Sequence, residues 1–148
     1  MLEQARQRAL QAGWSNIRFI REDAVELKHI EGQFDAVLSV WCLGIVYELP
    51  AALHRIFELT RPDGRIVILD FAQSQPDRGI LRLLYPIYRW VLVTTGIDAP
   101  DDIDDGQLRS RWREGRALLH ELLPDLVEER FMGGGGVLFH GTRPRTDL

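Results

Sequence analysis

The sequence predicts an α/β fold: parallel strands flanked by helices, ending in an antiparallel β-hairpin. Three observations carry this. First, Phe34-Asp35-Ala36-Val37-Leu38-Ser39-Val40 and Arg65-Ile66-Val67-Ile68-Leu69-Asp70 are short apolar runs separated by one helix-length segment. Runs of this kind read as strands buried on both faces, and the intervening helix makes a parallel βαβ unit. Second, Leu2, Ala5, Ala9 and Ala12 recur at helical spacing ahead of that unit. Third, residues 126–131 and 137–142 read as two closing strands, joined by Met132 and four glycines.

In chain order, the opening helix ends at Gly13, a residue suited to a left-handed cap. Residues 16–21 alternate polar and apolar, which predicts a strand closed by Glu22-Asp23-Ala24. A short helix or turn over 25–31 leads through Gly32-Gln33 into the Phe34 strand. Residues 41–47 form an apolar loop. Pro50 suits the first turn of the next helix, which runs to about Thr60 on an apolar face of Leu53, Ile56, Phe57 and Leu59. Pro62-Asp63-Gly64 signals a turn into the following strand. A polar break at 73–77 precedes residues 80–93, apolar almost all round but too short to span a bilayer. That segment reads as a core or lid helix; the sharper alternative is a surface meeting an apolar substrate or a membrane face. The acidic loop 96–105 lacks the order of a calcium-binding loop, and no metal is expected. Residues 107–123 predict an amphipathic helix ended by Pro124. The glycine run 133–136 has no following helix, so it reads as a hairpin turn rather than a phosphate cradle.

With 148 residues, the chain can form one domain with a real core. A hydrophobic fraction of 45% and a charged fraction of 27% exclude a disordered polyelectrolyte. The net charge of −4 offers no broad basic field, so nucleic acid is not an expected partner. Cys42 is the only cysteine, so no internal disulfide forms, in keeping with a reducing, cytoplasmic setting.

Four stretches, taken together and in order, resemble the later two-thirds of a class I S-adenosylmethionine-dependent methyltransferase. Met1-Leu2-Glu3-Gln4-Ala5-Arg6 is similar to the opening of that family's second helix. Residues 16–24 resemble its third strand with a terminal Asp-Ala, and Phe34-Asp35-Ala36-Val37 the start of its fourth. Arg61-Pro62-Asp63-Gly64-Arg65 resembles the Lys-Pro-Gly-Gly-Arg turn into its fifth, with Asp63 in place of a glycine. Leu69-Asp70-Phe71 and Leu83-Leu84-Tyr85 carry a flavour of the group that methylates quinone precursors. The resemblance implies a partial Rossmann-like methyltransferase sheet with S-adenosylmethionine as cofactor. It implies a small, apolar acceptor, quinone- or lipid-like, with peripheral membrane contact through residues 80–93. The family's Gly-x-Gly-x-Gly loop and the acidic residue ending its second strand both precede the helix that opens this chain. Residues 1–148 are therefore expected to be a single, N-terminally incomplete domain that alone binds the cofactor weakly or not at all.

In open α/β sheets, ligands lie beyond the carboxyl ends of the strands. On that rule and by resemblance, Asp23 accepts from the exocyclic amine of adenine and the Ala24 N–H donates to the ring. Ser39, Val40 and Trp41 border the methionine part. Whether the Ser39 side chain is a direct contact stays open, because a shift of one residue flips its face. Tyr47, His54, Tyr85 and Tyr88 are conceivable bases, but packing or surface roles are favoured and no catalytic residue is assigned. The competing readings are a non-catalytic remnant or binding module that folds with a partner, and another doubly wound domain. The closing hairpin argues against the latter.

Overall fold

The computed structural model describes residues 2–71, helical positions 84, 87 and 90, and residues 105–131 and 136–145. The opening helix α1 spans Leu2–Gln11, and Gly13 follows it at φ +70°. Strand β1 is Phe34–Val40, a 3-10 turn η1 covers Leu43–Ile45, and helix α2 is Leu49–Leu59. Strand β2 is Thr60–Phe71, helix α3 is Asp105–Leu122, and strands β3 and β4 are Val127–Phe131 and Gly136–Thr142.

The four strands form one sheet in the order β1-β2-β4-β3. β1 and β2 are parallel, with Val37 opposite Ile66 and Val40 opposite Leu69. β4 runs antiparallel to both β2 and β3. The predicted βαβ unit and closing hairpin are thus both present. The hairpin's second strand is inserted between β2 and β3, an order that hydropathy patterning does not disclose.

One face of the sheet is closed by helices. Ile66 and Ile68 of β2 and Val137 and Phe139 of β4 point toward α2 and α3, where Leu49, Leu53, Ile56, Trp112 and Leu119 bury them. Trp112 stacks on Phe139 with centroids 5.4 Å apart. Gly115 lets the two helices approach, since a Cβ there would lie 2.9 Å from Leu49 Cδ2. The alternate residues face the other way. Of these, Phe34, Leu38, Val40 and Phe71 are exposed, and neither α2 nor α3 covers them. A sheet with parallel pairs normally buries both faces, so this open apolar face is unusual.

Pro62-Asp63-Gly64 is a kink inside β2 rather than a turn ahead of it. The register of β1 against β2 slips between Phe34 and Ala36, and Asp63 takes φ +60°. Gly64 is required there: a Cβ would come within 2.7 Å of both Arg61 O and Thr60 Cγ2. Arg143 closes the same corner. Its guanidinium donates to the Phe57, Glu58 and Thr60 carbonyls at the end of α2 and lies 4.5 Å from the Phe57 ring centroid.

The expected strand over 16–21 is a correction. After a bend at Asn16 the segment runs unpaired, and β2 is the only partner of β1 among the described residues. Alternation supplies a strand's faces but not its hydrogen-bonding neighbour, and without one the segment rests against α1 instead. Trp14, Ile17 and Phe19 there line a cleft with Ala5 and Ala9. The expected cover over 80–93 lies largely outside the described residues; Leu84, Ile87 and Trp90 are helical and exposed.

Candidate functional site

The carboxyl ends of β1 and β2 lie side by side, and the chain leaves β1 there through Trp41. The Trp41 N–H still donates to Leu69 O at 2.8 Å, extending the ladder by one bond. The residue then adopts φ +55°, a conformation that an L side chain of this bulk rarely takes. That reversal sends Cys42–Gly44 over the helix-covered face while the indole stays on the open face. There it meets Phe71, with centroids 4.1 Å apart and planes inclined by 33°, and the edge of Phe131 at 6.1 Å. Trp41 and Phe71 are each about two-fifths exposed, at 42% and 39%, so the pair presents ring surface outward.

Asp70 ends β2 on the opposite face, only 3% exposed. Its Oδ2 accepts from the Leu43 N–H at 2.7 Å and the Gly44 N–H at 3.1 Å. Its Oδ1 accepts from the Phe71 N–H at 2.7 Å. Burial raises the Asp70 carboxyl above its ordinary range, against these amide donors, which lower it. In the sequence Asp70 closes the second apolar run and belongs to the resemblance, with no role assigned to it. The signal that could have singled it out is an acidic residue ending a run of Ile, Val and Leu.

The residues expected to meet a cofactor fall into two groups. Ser39, Val40 and Trp41 stand together at the end of β1. Ser39 is buried on the helix-covered side, its hydroxyl 3.1 Å from Cys42 Sγ, while Val40 and Trp41 are exposed. The Ser39 side chain is therefore engaged within the fold, and its neighbours supply the accessible surface. Asp23 and Ala24 lie on an exposed turn elsewhere in the sequence. Asp23 Oδ1 accepts from the Val25 N–H at 2.8 Å, a local turn bond that leaves the second carboxylate oxygen unused. The turn is held to α2: Val25 packs against the core, and Arg55 donates to Leu27 O at 3.0 Å. Among the described residues, no hydrogen bond joins this turn to the end of β1. Tyr47 is exposed, with the Arg111 guanidinium 5.5 Å from its ring centroid. Among the described residues, no cluster of His, Cys, Asp or Glu could hold a metal ion, and no helix is long and apolar enough to cross a membrane.

A family model described as a methyltransferase domain matches residues 1–64. The chain is a relative of the class I S-adenosylmethionine-dependent methyltransferases. It is 33% identical over 88 residues to the demethylmenaquinone methyltransferase of Thermus thermophilus, covering 60% of this chain and 39% of that protein. It is 31% identical over 137 residues to the Beutenbergia cavernae protein of the same name, covering 86% of this chain and 56% of that protein. The chain thus spans between a third and three-fifths of the length of these curated relatives. In the solved structures, the N-methyltransferase NodS of Bradyrhizobium japonicum, in complex with S-adenosyl-L-homocysteine, superposes with a TM-score of 0.56. That likeness is at 15% identity and covers 96% of this chain and 63% of that one, so it speaks for the fold. The Rossmann-like methyltransferase fold expected from the sequence is borne out, including its closing antiparallel strands.

Proposed function

We propose that residues 1–148 form the acceptor-side part of a methyltransferase domain. It serves S-adenosylmethionine-dependent methyl transfer to a small, apolar, quinone- or lipid-like acceptor. The observation that carries this reading is the half-exposed Trp41–Phe71 pair at the carboxyl ends of β1 and β2. It occupies the edge where open α/β sheets bind ligands. The acceptor class is supported by the names of the two curated relatives, both demethylmenaquinone methyltransferases.

The donor set fits the cofactor in part. The Asp23 carboxylate has a free oxygen for the exocyclic amine of adenine, and the Ala24 N–H is free to donate among the described residues. Val40 and Trp41 would flank the methionine part, with the Ser39 side chain turned away. When bound, the cofactor supplies an activated methyl group on sulfur. The chain's own contribution is orientation and exclusion of water. The rings of Trp41 and Phe71 provide an apolar surface, and the loop anchored by the buried Leu43 behind them holds it in place. No base is assigned.

The outer edge of β1, unpaired among the described residues and with Leu38 exposed at 68%, supports the second reading, a module that completes its sheet with a partner polypeptide. Titration of the isotope-labelled chain with millimolar S-adenosyl-L-homocysteine, read by amide NMR, separates the two. Saturable shifts are expected at Asp23, Ala24, Val40 and Trp41. Asp23→Ala should weaken binding by about 10- to 150-fold, the range for a hydrogen bond to a charged group. Silence at all four amides would reject cofactor binding by this chain alone and favour the module that completes its sheet with a partner.

A further inference from the structure

We propose that Asp70 is a positioning residue, whose carboxylate locks the Trp41–Phe71 pair in its exposed posture at the carboxyl edge of the sheet. The assignment rests on the reading of that edge as the ligand edge. The two carboxylate oxygens divide the work. Oδ1 accepts from the backbone of Phe71 itself, at 2.7 Å. Oδ2 accepts from Leu43 and Gly44, at 2.7 and 3.1 Å, and so fixes the loop two residues beyond Trp41. One side chain on the covered face thereby holds the Phe71 backbone and the loop that follows Trp41, while the two rings meet on the opposite face.

The conformation held in this way is one the chain would not choose alone. Trp41 at φ +55° is unfavourable for a bulky L residue, and Asp70 holds the loop after it alongside the Trp41–Leu69 backbone bond and the buried Leu43 side chain. No cation pairs with Asp70 among the described residues, so amide donors alone compensate the buried charge. A carboxylate buried without a cation is poor value for core stability, since an apolar residue would fill the same space without desolvation. What it provides instead is direction: several N–H groups from two chain segments converge on one point. Such convergence specifies a loop geometry rather than adding to the hydrophobic core.

The test uses the full chain and reads the amides of Leu43 and Gly44 in the loop. Asp70→Asn keeps the side-chain shape and removes the charge. Hydrogen exchange at the Leu43 and Gly44 amides, which are buried and bonded to Asp70 in the parent, should speed up at least about tenfold, the equivalent of one lost hydrogen bond. Far-UV circular dichroism and the Trp112 indole resonance should match the parent chain. With S-adenosyl-L-homocysteine added, the variant should keep the shifts at Asp23 and Ala24 and lose the one at Trp41. A variant with the parent's exchange at Leu43 and Gly44 and the parent's Trp41 response overturns the assignment. A parent chain that answers the ligand at neither stretch rejects cofactor binding by this chain alone instead, and the exchange at Leu43 and Gly44 then decides the role of Asp70 in the loop. If Asp70→Asn does not fold, hydrogen exchange on the parent chain decides. Leu43 and Gly44 amides exchanging as fast as that of the exposed Lys28 would overturn the proposal.

Discussion

The two faces of the sheet are built from the same strands and alternate residues, yet they differ in almost every physical respect. On one face Ile66, Ile68, Val137 and Phe139 disappear beneath α2 and α3, with exposures of 2% or less. On the other, Phe34, Leu38, Val40 and Phe71 remain in contact with solvent. The difference follows from connectivity. The α2 crossover of the βαβ unit lands on one side, and α3, which leads into β3, packs against α2 on that side. Stability is thus concentrated on the helical face. The open face is left for contacts that the described residues do not themselves make, and the Trp41–Phe71 pair belongs to it.

The largest effect that would break this contrast is at Trp112, which is 1% exposed and stacked on Phe139. Trp112→Ala should cost about 3–5 kcal/mol in urea unfolding, as large aromatic truncations in cores do. A loss below about 1 kcal/mol would mean that the helical face is not where the fold is held. Next is Arg143, where Arg143→Met keeps the stem over Phe57 but removes the bonds to the Phe57 and Glu58 carbonyls of α2 and the Thr60 carbonyl that follows. A loss of about 1.5–3 kcal/mol is expected from those charged hydrogen bonds. An unchanged urea midpoint would show that water replaces them without penalty.

A smaller effect concerns Asp125, whose Oδ1 accepts from the Thr142 N–H at 2.8 Å and so joins the start of the hairpin to the end of β4. That bond lowers the Asp125 carboxyl below its ordinary value of 3.8. A lowered folded-state value means the contribution is present above the unfolded value and lost as pH falls through the folded one. Asp70, raised by burial, has the opposite sign: its ionised form opposes folding, and protonation relieves that. Asp125→Ala should therefore cost below about 1 kcal/mol near neutrality, as exposed contacts do. The difference from the parent should vanish in strong acid. A gap that widens on acidification would reverse the assignment. The smallest effect sharpens the comparison most. Leu38→Ser on the open face should change stability by less than about 0.5 kcal/mol. A loss of 2 kcal/mol or more, on the order of a buried leucine's worth, would show that the face is covered in solution.

Much of this was legible in the sequence because it depends on local chemistry. The period of Leu2, Ala5 and Ala9 sets α1, and Pro50 sets the start of α2. The Val- and Ile-rich runs set β1 and β2, and they are long enough to outvote alternatives. The kink at Asp63-Gly64 was visible as a turn signal, although its place inside β2 was not. The tertiary structure alone decided four things. It left residues 16–21 unpaired, because a strand exists only with a neighbour. It inserted β4 beside β2, because pairing partners are chosen across the whole chain. It put the Ser39 side chain on the covered face and Trp41 on the open one, because a single left-handed residue switches sides. And it drew Asp70, 27 residues away in sequence, onto the amide of Leu43, a meeting that no local pattern encodes.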